Sequence, residues 1–126
     1  MTAVNDAYQT IFNKVPGVDR YYKKRITGKI DNTKTDLLIT PVIGSYAGYG
    51  SNVPTIEVQE IEIQVFIGKE NKTANLDTIK NSIVSFLVPK WQVSYGPDEG
   101  TDPETDETTL TFHFTRNYER KLNQWN

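Results

Sequence analysis

Between Glu57 and Phe114 the hydrophobic pattern switches between two periods. Ile61, Ile63, Val65 and Ile67 occupy every second position, with Glu62, Gln64 and Phe66 between them. That is the pattern of a half-buried strand. Leu76, Ile79, Ile83, Phe86 and Leu87 then recur at three- and four-residue steps, which predicts a helix with those residues on its buried face. Asn75 is its expected N-cap, and Pro89 ends it after Val88. Alternation returns at Trp91, Val93 and Tyr95, and again at Leu110, Phe112 and Phe114, giving two further strands.

Ile56 and Val58 also alternate, but the step from Val58 to Ile61 is odd. One face of a strand cannot hold both sets without an extra residue. A β-bulge or bend is therefore expected near Gln59 and Glu60.

In the N-terminal half, Val4, Ala7, Tyr8, Ile11, Phe12 and Val15 form one stripe, predicting a helix from Thr2 to Val15 that Pro16-Gly17 stops. Thr2 is its expected N-cap. Tyr21–Ile26 is expected as an edge strand, because its lysines discourage stray pairing. Asp31-Asn32-Thr33 is a turn. Leu37–Ile43 is expected as a strand buried on both faces, with Pro41 implying an edge position or a bulge. Ser45–Asn52, rich in Gly, Tyr and Ser, is expected as a connecting loop or as a segment that orders against a neighbour.

These elements predict an α+β fold: a single mixed, mostly antiparallel sheet of four to five strands with two helices packed on one face. Residues 1–126 form one domain, and 116–126 is a short helix or a docking arm. A chain of 126 residues buries one modest core. With no cysteine, disulfides and thiolate metal sites are excluded. The N-terminus has no basic segment followed by an apolar one, and no apolar run approaches the roughly 20 residues of a bilayer span. The expectation is a soluble, cytoplasmically made protein with no membrane association.

Candidate chemistry is sparse. His113, between Phe112 and Phe114, points away from the core and has no partner identifiable from sequence. Asp36 with Glu62-Ile63-Gln64 imitates a Mg²⁺ nuclease, but Gln64 stands where a lysine is usual. The run Asp98–Glu107 fails the EF-hand pattern because Pro103 replaces the turn glycine, and is expected as an extended, mobile hairpin loop. Lys23-Lys24-Arg25 beside Tyr21 and Tyr22 could track a nucleic-acid backbone, yet a net charge of −2 argues against bulk attraction to DNA. No catalytic, metal-binding or cofactor-binding residue is expected. What remains is a basic segment near residues 20–34 and an acidic one at 98–107. Head-to-tail association of identical subunits can pair such patches and close a ring.

The element order resembles the lambda-like tail terminator family of long-tailed phages. The likeness runs through Glu57-Val58-Gln59-Glu60-Ile61-Glu62-Ile63-Gln64-Val65-Phe66-Ile67, the helix of Leu76–Leu87, Trp91-Gln92-Val93-Ser94-Tyr95, the acidic hairpin and Leu110-Thr111-Phe112-His113-Phe114-Thr115. The chain also looks like small uncharacterised tail proteins from phages of Gram-positive bacteria. Tyr46–Pro54 and the tail after Arg116 have no counterpart in the lambda-like pattern.

The resemblance implies a non-enzymatic virion protein, assembled in the host cytoplasm. It would form a homo-oligomeric, hexameric ring that caps the tail tube, stops its growth and meets the head. Its partners would be the tube protein and a head-completion protein, and DNA would pass through without specific binding. Within that reading, Arg20, Lys23, Lys24, Arg25, Tyr46 and Tyr49 are expected at subunit or partner interfaces. Asp98, Glu99, Asp102, Glu104, Asp106 and Glu107 are expected to line the lumen, where they would repel phosphate. The alternatives are a head–tail connector subunit, a small nucleic-acid-binding protein using Lys23–Lys29, and a metal-dependent nuclease.

Overall fold

The computed structural model describes the backbone of residues 3–50 and 53–119 and the side chains of 3–42 and 57–117. The elements are α1 (Ala3–Ile11), β1 (Arg20–Lys23), β2 (Asp36–Gly50), β3 (Val53–Ile67), α2 (Leu76–Leu87), β4 (Gln92–Thr101) and β5 (Thr108–Glu119). One five-stranded sheet runs in the order β1-β2-β3-β5-β4. β1 and β2 are parallel, and every other neighbouring pair is antiparallel. The α+β class and the mostly antiparallel sheet agree with the sequence expectation.

Register puts Leu37 and Ile39 of β2, Ile61, Ile63 and Val65 of β3, and Leu110, Phe112 and Phe114 of β5 on one face. All eight are fully buried. They share a core with Val4, Ala7 and Ile11 of α1 and Ile79, Ile83 and Leu87 of α2, so both helices cover that face. Each large apolar side chain buried this way stabilises the fold by about 1.5–3 kcal/mol. Asn75 caps α2 as expected, its side chain accepting from the Thr78 N–H at 3.1 Å.

Several expectations need correction. α1 ends at Ile11 rather than Val15, because Asn13 takes a left-handed φ of +58° ahead of Pro16. Val15 is buried all the same, since the Tyr21 hydroxyl holds both its backbone N–H and its carbonyl. Phe12 and Phe86 lie on helix flanks and are exposed. β1 is an edge strand, but Lys24 at φ +70° stops it before Ile26. β2 is not buried on both faces: Leu38 and Thr40 are only half-buried, because the helices cover the other side. The helix or arm expected over 116–126 is corrected at its start, because 116–119 continue β5 and pair with β3. Residues 120–126 and the N-cap assigned to Thr2 lie outside the described residues.

The largest difference is at Ser45–Asn52. The backbone of 43–50 continues β2 and pairs with β3, Ser45 opposite Val58 and Gly50 opposite Val53, so the expected loop is one side of a long hairpin. The register shift lies between Val42 and Ser45, so the extra residue is on β2 and not near Gln59 on β3. β3 keeps one register with β5 from Ile56 to Ile67. Val58 therefore shares the outer face with Glu60 and Glu62, and the odd step from Val58 to Ile61 is a change of face.

β4 also departs from its pattern. Trp91 is fully buried, but it precedes the strand, its backbone N–H donating to the Leu87 carbonyl at 2.8 Å. Every residue of β4 is exposed, including Val93 at 40% and Tyr95 at 49%. β4 is an edge strand whose register with β5 shifts on both sides of Tyr95, so alternation there does not produce a buried face.

Candidate functional site

The face of the sheet opposite the helices is polar and carries a charge cluster at its centre. Register places His113 beside Glu62 of β3 on one side and Tyr95 of β4 on the other. His113 Nδ1 lies 2.8 Å from Glu60 Oε2, and Nε2 lies 2.8 Å from Glu62 Oε2. The Tyr95 ring packs on the imidazole at 5.1 Å, and its hydroxyl donates to Asp98 at 2.8 Å. Partial burial pulls the His113 pKa down, but hydrogen bonds and charge from Glu62 and Glu60 outweigh it and leave the pKa raised. The Tyr95 phenol is also raised, first by its bond to Asp98 and then by the negative charges of Asp98 and Glu62. The sequence expectation of a partnerless surface histidine is thus corrected: His113 bridges two carboxylates. The available signal was that Glu60, Glu62 and His113 all stand out of phase with the buried residues.

Asp36 and Glu62 are on the same outer face but answer to different partners. Asp36 takes a bidentate contact from Arg20, with Nε at 2.6 Å and Nη2 at 2.9 Å, while Glu62 is held by His113. Asp36 pairs across β2–β3 with Phe66, and Glu62 with Thr40, so the sheet does not bring the two carboxylates together. Among the described residues no group of three or more His, Cys, Asp or Glu is placed to hold a metal ion.

Within the basic segment, Arg20 has a carboxylate partner and Lys23 has neutral ones. Arg20 is committed to Asp36 and also donates to the Lys29 carbonyl. Lys23 sits 4.9 Å from the centre of the Tyr8 ring and 3.3 Å from Asn5 Oδ1. Lys24 and Arg25 are exposed where β1 stops. Tyr46 and Tyr49 lie on β2 opposite Glu57 and Pro54, with their side chains outside the described residues.

The acidic run is folded rather than extended. Asp98 and Glu99 belong to β4, and the connection to β5 is a closed turn in which the Asp102 N–H donates to the Glu107 carbonyl at 2.9 Å. Asp102 also accepts from the Glu104 N–H and the Thr105 hydroxyl. Asp106 pairs with Lys69 at 3.0 Å, and Glu104 is exposed. Glu107 is buried, which corrects its expected place in a solvated loop. Burial raises its pKa, with Asp36 and Asp102 adding to the effect and Arg20 opposing it. The end of the acidic turn therefore lies near the Arg20–Asp36 pair, so Arg20 is not at the far pole of a charge dipole.

Away from the core, β2 and β3 form a hairpin that runs well past Ile39 and Ile61, the last buried residues of these strands on that side among the described residues. Each strand has 15 residues, which spans about 50 Å. β1 pairs with β2 only from Asp36 to Ile39. Beyond that point β2 has no neighbour on its β1 side among the described residues, just as β4 has none on its outer side.

The family model described as "Protein of unknown function (DUF806)" matches residues 2–119, nearly the whole length, and the chain belongs to that family. No curated protein matches the chain.

Proposed function

We propose that this DUF806 member is a structural, non-enzymatic phage tail protein. Copies of it join into a homo-oligomeric ring, hexameric in the assembled tail, that caps the tail tube, stops its growth and forms the surface for head joining. Its partners are the major tube protein and a head-completion protein, and its site of action is the virion tail, assembled in the host bacterial cytoplasm.

The long β2–β3 hairpin carries this reading. A strand pair of about 50 Å is far more than the small core requires, and its outward section offers backbone groups to a neighbour. The resemblance of the element order to lambda-like terminators supports the same conclusion, as does a sheet whose two edges are both uncovered by a further strand among the described residues. The acidic turn suits a lumen through which DNA slides: Asp102 and Glu104 add negative charge where phosphate must not be gripped, while Asp106 is paired with Lys69. The pairing of Arg20 with Asp36 weakens the basic track and favours this reading over a nucleic-acid binder.

Loss of the protein from a tail-assembly system tests the proposal. Tails made without it are expected to overgrow and to fail to join heads. Tails of normal length that join heads in its absence would contradict it.

A further inference from the structure

We propose that the ring is closed by strand addition, the outer edge of β4 in one copy pairing with the free edge of β2 in the next, beside Lys24 and Arg25. This deepens the ring reading above and rests on it.

The first edge follows from the register. The Lys24 N–H donates to the Ile39 carbonyl at 2.8 Å, so odd-numbered residues at the start of β2 turn their backbone groups toward β1. Pro41, next in that series, falls just past the end of β1, where a missing N–H breaks no ladder. Past the register shift, Ser45 and Ala47 pair with Val58 and Ile56, which belong to the even-numbered series of β3 that faces β2. Tyr46, Gly48 and Gly50 therefore turn their amides and carbonyls outward. Edge strands in isolated domains usually carry charges that prevent pairing, yet β2 from Pro41 to Gly50 has none.

The second edge is β4. Even-numbered residues of β5 face β3, so Thr109 and Thr111 face β4, and their partners Gly100 and Asp98 point inward. Glu99 and Thr101 then present their backbone groups to the open side. Val93 and Tyr95 leave apolar surface exposed along the same strand.

Charge selects the pairing. Asp98 and Glu99 line the β4 edge, while the exposed Lys24 and Arg25 flank the start of the free β2 edge. Like edges repel or gain nothing, whereas unlike edges attract and steer. β4 ends the strand order, and the free stretch of β2 opens toward the opposite side of the sheet, past the end of β1, so each contact is heterologous. Repetition closes a ring where the rotation between copies returns to the start. Main-chain hydrogen bonds supply the adhesion, as in other cases of strand addition.

The chain has no cysteine, so disulfide trapping is clean. A chain carrying Lys24→Cys and Thr101→Cys, oxidised on tail tubes, is expected to give a covalent ladder that ends at the ring size. Either single variant is expected to give no ladder. Adding Glu99→Pro, which removes an outward N–H and no bond to β5, is expected to abolish the ladder while the circular dichroism spectrum is kept. Lys24→Glu with Arg25→Glu is expected to abolish ring assembly, and Asp98→Lys with Glu99→Lys in the same chain to restore it. A ladder untouched by Glu99→Pro would overturn the seam, as would capped tubes that never yield the Lys24–Thr101 cross-link. The latter result would leave the capping reading standing, because capping is scored separately by tube length.

Discussion

His113 reaches from β5 to Glu62 on β3, its Nε2 2.8 Å from the carboxylate, while Nδ1 meets Glu60 at the same distance. A neutral imidazole donates from one nitrogen only, so the other would face a carboxylate lone pair. The arrangement is satisfied on both sides when the ring is protonated. Tyr95 of β4 packs on the imidazole and links the cluster to the Asp98 carboxylate through its hydroxyl.

Its pH dependence follows. The folded-state pKa of His113 is raised, so the stability it contributes is fully present below its unfolded value of about 6.5. That contribution is lost as pH rises through the higher folded-state value. As the single histidine, His113 can be titrated without ambiguity by NMR. A midpoint above the ordinary value is expected. In thermal melts His113→Asn should fall below wild type under mildly acidic conditions, and the two should converge at alkaline pH. A midpoint at or below the ordinary value would contradict the bridge.

A second bond ties the N-terminal helix to the sheet. Arg116, 8% exposed, donates from Nη2 to Asp6 at 2.6 Å and from Nε to Gln59 at 2.7 Å, with its guanidinium 4.4 Å from the Trp91 ring. Asp6→Ala removes the carboxylate from this set. A loss of roughly 1.5–3 kcal/mol is expected in urea unfolding, the range for a hydrogen bond to a charged group. A change within experimental error would mean that the contact does not persist in solution.

Gly68 closes β3 in a space with no room for a side chain. A methyl there would press on the backbone carbonyl oxygens of Asn32 and Lys34, while the Gly68 N–H donates to the Thr35 hydroxyl. Gly68→Ala is expected to cost about 1–3 kcal/mol, as overpacking of a rigid site does. An unchanged melting temperature would show that the loop yields freely.

Elements whose pattern coincides with one-sided cover were legible from sequence. β3, α2 and β5 alternate or recur because α1 and α2 cover one face, and Ile63, Ile83 and Phe112 all meet there. The hairpin was not legible, because Gly44, Gly48 and Gly50 carry turn signals that only the pairing with Val53–Val58 overrides. Trp91, Val93 and Tyr95 misled for the opposite reason, since a strand at the sheet edge shows alternation without burial. The His113 bridge needs the β3–β5 register, which joins residues about 50 positions apart; the out-of-phase placing of Glu60, Glu62 and His113 puts them on one face but does not pair them.

Electron microscopy of tail-tube protein polymerised with and without this protein measures directly whether it arrests tube growth. Tubes of limited length, each with a ring of this protein at one end, are the expected result. Tubes that grow equally long in its presence, with no ring at either end, would contradict the account.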